Sequence, residues 1–542
     1  MELGLYNQNG PLEPRQYSSG KTQVDLIEEI LEAFQSSDIV FLKGTVGSGK
    51  SVVGLRTALE FGRGIVSVPT KVLSDQYVAS YERDKYFVKS DRSRARIGIL
   101  KGRGNFKCPY MLCEKSRDVL CAASVLPCTR PLDRSIKERR IDALLVCPYW
   151  GFIFNTGWRN SVGDAKVAEY KGIAGDWIWC MKGDCPYWKQ FSAYTLSDAI
   201  VMNSAKWSAE VCIGRLPKVP VTIVDEADHW LDELAIKVSL TDRTIEQIGE
   251  KIGSERLERK DELQGLWSDA IAGRGDPLDF ALYVVGLLDE IDETSGNLYW
   301  RLKSVLEHKD WAECEVGEGK IVYFVPDPKV VLHRLLDKVG GKWLLMSATV
   351  QSEDVLSDVF GITPTFVSGE TRFPGTVICR KIGSEEVVNY QKWRDDGFRQ
   401  RYWNLLSKIK RRAKRPTFVP VHAFTYLPQE IREKMGNTDA LRIGKIMYTT
   451  KMDRGADLKG MGSVIILKFP YPDREDPLLK GMERRLGKEA FQFYYRDRAE
   501  RDFVQQIGRT LRSLDDEVEF WSPDGMCHAQ LGWLWKGDLI KK

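Results

Sequence analysis

Residues 39–62 read IVFLKGTVGSGKSVVGLRTALEFG, and the reading of this stretch decides the fold. IVFL, Ile39 to Leu42, is a short unbroken apolar run, the pattern of a parallel strand covered on both faces. It leads into GTVGSGKS, Gly44 to Ser51, a fit to G-x-x-x-x-G-K-[ST], and then into a helical stretch. A phosphate chain at such a turn is wrapped by backbone N–H groups at a helix N-terminus, where glycine alone permits so close an approach. Gly44, Thr45, Val46, Gly47, Ser48 and Gly49 are therefore expected to cradle a nucleotide. Lys50 would reach its β- and γ-phosphates, and Ser51 would place a hydroxyl on Mg2+.

Working outward, Val24, Ile27, Ile30, Leu31 and Phe34 recur at helical spacing and predict an amphipathic helix before the strand. A nucleotide site of this kind also needs a carboxylate for the metal and a base for water at the end of a neighbouring strand. VTIVDEADHW offers both: the strand-like run Val221 to Val224 is followed by Asp225, placed for Mg2+, and Glu226, placed to activate the attacking water. Adjacent acids after a strand also read as a helix N-cap, and the glycine loop tips the reading toward catalysis.

A 542-residue chain with 43% hydrophobic side chains can bury several cores and should divide into two to four domains. The net charge is only +4, so a polyanion would be held by local patches. Candidates are Arg92 to Arg103, Lys137 to Arg140, and KIKRRAKR from Lys408 to Arg415, each of which also reads as a solvated helix face. The first residues lack a basic segment followed by an apolar one, and nowhere do about 18 apolar residues run together. A cytoplasmic protein with no membrane partner is expected, and no feature demands an oligomer. Seven of the eleven cysteines fall between Cys108 and Cys185. In a reducing compartment such clustering points to metal rather than disulfides.

Beyond the two nucleotide motifs, six further segments resemble the superfamily 2 helicases of the DinG and XPD type, which carry an iron–sulfur cluster. VSVPTKVLSDQ, Val66 to Gln76, is similar to the family's first DNA-contacting motif, with Thr70 and Gln76 in the matching places. KWLLMSATV resembles the strand and S-A-T motif, Ser347 to Thr349, which links ATP state to strand movement; Ser347 and Thr349 are carried over as DNA-site residues. RPTFVPVHAFTYL, Arg415 to Leu427, matches the first strand of the second motor domain more loosely. KMDRGADLKG matches the family's G-x-D at Gly455 and Asp457, and LKFPYPDREDP resembles the segment after it. QQIGRTLR, Gln505 to Arg512, fits Q-x-x-G-R-x-x-R, so Arg509 and Arg512, one helical turn apart, are expected to meet the γ-phosphate across an interdomain cleft while Gln505 orients water. The tetrad after Val224 reads DEAD rather than the DEAH more usual in this family, a change that spares Asp225 and Glu226.

The resemblance implies an ATP- and Mg2+-dependent helicase moving 5′ to 3′ on single-stranded and forked DNA. It also implies a [4Fe-4S] insertion entered at KGRGNFKC and left at CPYW, which gives Cys108 and Cys185 a family place. Cys128 and Cys147 are chosen as the other two ligands, while the pair Cys180 and Cys185 also resembles the DinG arrangement, Cys121 stays open, and the thiols beyond four, Cys113 among them, leave room for a Zn2+ site. Tryptophans of this insertion, Trp150, Trp158, Trp177, Trp179 and Trp188, read either as base-stacking platforms or as core. Gln23, preceded by Tyr17, is a candidate for adenine.

The expected fold is α/β: two RecA-like P-loop domains with parallel sheets, the first interrupted by a cluster domain and a helical arch. The expected division is motor domain 1 at 1–100, 191–235 and 321–351, the cluster insertion at 101–190, the arch at 236–320 and motor domain 2 at 352–542. Two other readings stay open: a motor acting on RNA or R-loops, and a metal-stapled nucleic-acid-binding NTPase whose nucleotide site is only a switch.

Overall fold

The structure, a computed structural model, describes residues 2–123, 126–128, 146–156, 165–252, 257–291, 297–436, 438–450, 458 and 460–541. Gly455 and Asp457, Trp158 and the patch Lys137 to Arg140 lie outside the described residues.

The stripe read from Val24 to Phe34 is the helix Gln23–Ser36, closed at its start by Thr22 and Asp25 as a capping box. The apolar run after it is the strand Ile39–Lys43, and the helix Lys50–Glu60 begins behind Gly49. Seven strands form the first sheet, all parallel, in the order Thr365–Ser368, Ile39–Lys43, Lys342–Ser347, Val221–Asp225, Gly64–Val68, Ala199–Asn203, Ile97–Leu100. Successive side chains take opposite faces: Val40, Leu42, Ile223, Leu344 and Met346 enter one core, Phe41, Val224, Trp343 and Leu345 the other. Such double burial is why these strands read as continuous apolar runs.

The second sheet also has seven strands, ordered Ala440–Ile443, Ile446–Thr449, Thr417–Pro420, Ser463–Ile465, Glu517–Trp521, Thr376–Cys379, Asp538–Lys541. All pairs are parallel except the first. Two α/β domains with parallel sheets are thus the frame of the molecule.

Two insertions leave the first sheet. Between Ile97–Leu100 and Ala199–Asn203 the chain builds an antiparallel sheet, Gly151–Asn155, Gly175–Met181 and Lys166–Gly172. Trp150, Phe152, Trp188 and Phe191 of this insertion share one continuous core with Trp207, Trp230 and Trp343 beneath the first sheet. Trp150 and Trp188 are 2% and 4% exposed, so they are core rather than stacking platforms. The second insertion combines Lys237–Thr241, Lys320–Phe324 and Glu313–Gly317 with the helices Asp242–Ile252, Leu257–Ile271, Pro277–Glu290 and Asn297–Glu307 around its own core. It touches the second domain through Lys237–Asp476 (2.6 Å) and Arg485–Glu313 (3.2 Å).

Two expected boundaries move. Thr365–Ser368 pairs with Ile39–Lys43, so the first domain runs past 351, and the arch keeps its third strand to Phe324, past 320. Both strands are short, and their partners lie hundreds or tens of residues upstream, a pairing that local pattern does not reveal. Among the described residues no helix is long and apolar enough to cross a membrane.

Candidate nucleotide site and thiol cluster

The glycine loop takes the conformation its sequence permits. Gly47 and Gly49 have φ of 77° and 85°, left-handed values that a side chain would resist. Lys50 folds back on the loop, its Nζ donating to the Gly44 carbonyl at 2.7 Å and the Thr45 carbonyl at 3.2 Å. Thr45 and Ser48 are buried. Beside the loop, Tyr17 donates to the Ser48 carbonyl (3.1 Å), Arg15 reaches the Gly47 carbonyl, and Gln23 accepts from the Arg15 N–H at 3.0 Å. Gln23 and Tyr17 thus stand at the loop where the adenine end of a nucleotide would be sought.

Asp225 closes the strand Val221–Asp225, and Glu226 follows with φ of 53°. A glutamate held there is strained, a condition that clusters at functional sites. Burial, and then the neighbouring Glu226 charge, raise the Asp225 carboxyl above its ordinary value, while Lys50 opposes them. The Tyr77 hydroxyl donates to Asp225 Oδ2 at 2.7 Å. Burial, and then the Asp225 charge, hold that hydroxyl well above its usual value, so it remains a donor.

The second domain meets this site with the helix Lys488–Gly508. Gln505 Nε2 donates to Asp228 Oδ2 (2.7 Å) and to Thr349 Oγ1 (2.8 Å). Arg501 bonds Asp232 at 3.0 and 3.1 Å, Asp228 at 3.4 Å and Asp497 at 2.8 Å. Arg509 places Nη2 3.4 Å from Glu226 Oε1. The helix ends at Gly508, where a Cβ would strike the Phe373 ring at 2.8 Å. Arg512 is consequently not one turn further along the same helix, as expected, but in the segment after it, with its carbonyl over Gly47 and its N–H on Asp516 at 2.6 Å.

Ser347 and Thr349, carried over as DNA-site residues, face inward instead. Both hydroxyls donate to Asp228 at 2.6 Å, and the side chains are 0% and 8% exposed. Their position at the inner end of a doubly covered strand leaves them no surface for a strand of nucleic acid. Thr70 caps the helix Lys71–Val78 by accepting from the Leu73 N–H at 3.2 Å, and Gln76 on that helix is exposed. Arg501, Asp228, Asp232 and Tyr77 were not singled out by motif reading; the available signal was the acid-rich DEADHWLD facing an arginine one helical turn before Gln505.

The thiols sort themselves by position. Cys108 and Cys185 each stand immediately before a short helix that opens with proline, Pro109–Lys115 and Pro186–Lys189. Cys121, 2% exposed, lies within hydrogen-bonding reach of both. The nearness of Cys121, with backbone N–H groups at the helix starts, lowers the Cys108 and Cys185 thiols, while Cys121 itself is raised. Cys128 and Cys147 lie within charge range of Cys108 and Cys185. Arg103 donates to Cys128 Sγ at 3.8 Å and lies over the rings of Tyr187 and Trp188 at 4.7 and 5.2 Å. Cys180 is turned away, its thiol on the Phe152 carbonyl at 3.4 Å, and Cys113 is exposed. Cys121, left open by the sequence, is therefore central, and the set Cys108, Cys128, Cys147 and Cys185 is incomplete as an account of the thiol group.

Two lobes, a phosphate loop on one and an arginine on the other reaching its acids, define a candidate nucleotide site at a domain seam. Comparison with known proteins narrows the class. Residues 424–525 match the helicase C-terminal domain family. Two solved XPD helicase structures are similar over 96% of this chain: one, "XPD_Helicase", at 18% identity, TM-score 0.62 and 99% of its own length, the other, "XPD_APO", at 14%, 0.57 and 100%. Xpd4 of S. tokodaii is similar at 14% identity and TM-score 0.55, over 96% of this chain and 99% of its own. No curated protein matches the chain in sequence. The chain shares the fold of these XPD structures.

Proposed function

We propose that this chain is an ATP-dependent DNA helicase that moves 5′ to 3′ on single-stranded DNA and opens the duplex at a fork. The observation that carries this reading is Arg509 of the second domain 3.4 Å from Glu226 of the first, beside the Lys50 loop. ATP in the loop would draw Lys50 from the Gly44 and Thr45 carbonyls onto its phosphates. Ser51 and Asp225 would hold Mg2+, Ser51 from the first turn of the helix Lys50–Glu60 and Asp225 from its buried place at a strand end. When bound, Mg2+ neutralises charge on the β- and γ-phosphates. Glu226 accepts the proton of the attacking water, and Arg509, released from it, meets the γ-phosphate. Gln505 and Thr349 share Asp228, so closing or opening of the cleft is transmitted to the Ser347–Thr349 strand end. Thr70 and Gln76 are proposed to contact the tracked strand.

The insertion is proposed to hold a [4Fe-4S] cluster. Among the described residues no three His, Cys, Asp or Glu side chains are arranged to hold a single metal ion. A cluster asks instead for four thiolates spread around a cage, and the reading is supported by Cys121 near Cys108 and Cys185, with Cys128 and Cys147 within charge range of that pair and Arg103 on Cys128. Cys108, Cys121 and Cys185 with one of Cys128 and Cys147 would supply the ligands, and the cluster would brace the insertion against the shared tryptophan core.

Glu226→Gln tests the hydrolytic reading. Phosphate release stimulated by single-stranded DNA should fall by about 10²- to 10⁴-fold while nucleotide binding persists. Turnover unchanged in the variant, or stimulated as well by RNA as by DNA in the wild type, contradicts it.

A further inference from the structure

The helix Lys71–Val78 presents Gln76 to solvent and, one residue later, sends Tyr77 inward. Tyr77 is 2% exposed, and its hydroxyl spans the two residues assigned to magnesium: it donates to Asp225 Oδ2 at 2.7 Å and is hydrogen-bonded to the Ser51 hydroxyl. One turn on, Tyr81 also bonds Ser51, and the two tyrosine rings meet edge to face at 6.0 Å. The turn carrying Tyr81, Ala79–Asp84, is a π-helix, a rare geometry that occurs frequently at functional sites. Neither tyrosine belongs to a nucleotide motif, yet both come from the segment whose outer face carries Thr70 and Gln76.

We propose that Tyr77 is a positioning residue that occupies the magnesium place between Ser51 and Asp225, and that nucleic acid on the outer face of its helix withdraws it. The proposal rests on the motor reading above and supplies the link that reading lacks, from the nucleic-acid face to the metal-binding carboxylate. With the hydroxyl in place, the carboxylate is already bonded and a cation must displace a donor to enter. A shift of the helix by nucleic acid, taken up in the π turn, would free Asp225 and Ser51 together. Nucleotide turnover would then wait for the track.

The test is a Mg2+ titration of the full chain binding a fluorescent, non-hydrolysable ATP analogue, with and without a single-stranded DNA oligonucleotide. In the wild type the oligonucleotide should lower the Mg2+ concentration at half-saturation. In Tyr77→Phe, which keeps the ring, that concentration should already be lower without DNA by about tenfold, the size of one hydrogen bond to a charged group. Added DNA should then move it by under about twofold, the bond it acts through being already absent. A Tyr77→Phe protein that titrates like the wild type, or that keeps the full response to DNA, overturns the proposal. A wild-type chain that binds no nucleotide under any condition overturns the motor reading and this proposal with it.

Discussion

Replacing Arg501 by methionine tests the seam between the two domains. Arg501 is 5% exposed, and its guanidinium serves Asp232, Asp228 and Asp497 at once. Asp228 and Asp232 are 2% and 7% exposed, so removing the cation strands carboxylates that water cannot reach. Arg498, 3.9 Å from Asp232, compensates little at that distance. Breaking such a buried pair costs about 3–5 kcal/mol, which at about 2–4 °C per kcal/mol lowers the melting transition of the second domain by roughly 6–20 °C. Arg496→Met is the control on the same helix, because Arg496 is 67% exposed and its bond to Glu500 is a surface pair worth under about 1 kcal/mol. Calorimetry of both variants reads the difference. Arg501→Met combined with Asp232→Asn should recover part of the loss, since one stranded charge is then gone. Equal melting of Arg501→Met and Arg496→Met would refute the view that this buried network joins the domains.

Arg509→Ala should bind nucleotide but lose about 10³-fold or more in turnover, as removal of an arginine finger does, and stopped-flow nucleotide binding beside steady-state hydrolysis checks it. Cys121→Ser should lose iron and visible absorption when purified anaerobically, whereas Cys113→Ser and Cys180→Ser should keep both; metal analysis decides. Glu210 is fully buried; burial alone would raise its carboxyl, but Arg215 at 2.6 Å and Lys206 at 2.7 Å overcome this and pull it down to about 2. Its unfolded value is about 4.3, so the stabilisation is complete above that pH and disappears as pH falls through the folded value. Glu210→Gln should therefore be less stable than the wild type at pH 7, with the gap narrowing below about pH 4.3 in denaturation series.

What the amino-acid sequence determined by itself is local. The loop Gly44–Ser51 needs eight consecutive residues between a strand and a helix, and Asp225 and Glu226 need only the strand before them, so their placement was legible from spacing. The two-domain α/β frame followed from the order of such segments. Tertiary structure alone decided which distant groups meet. Cys180 and Cys121 look alike in a list of thiols. The alternation of the strand Gly175–Met181 sends Cys180 to the Phe152 carbonyl, and the loop path brings Cys121 between Cys108 and Cys185. The S-A-T hydroxyls turned inward because Asp228, over a hundred residues earlier, lies beside them, and position 508 takes glycine because the Phe373 ring leaves no room for a Cβ there. Tyr77 and Arg501 carry no motif, because the partners they face, Asp225 within the first domain and Asp232 across the seam, are set by packing rather than by neighbours in the chain.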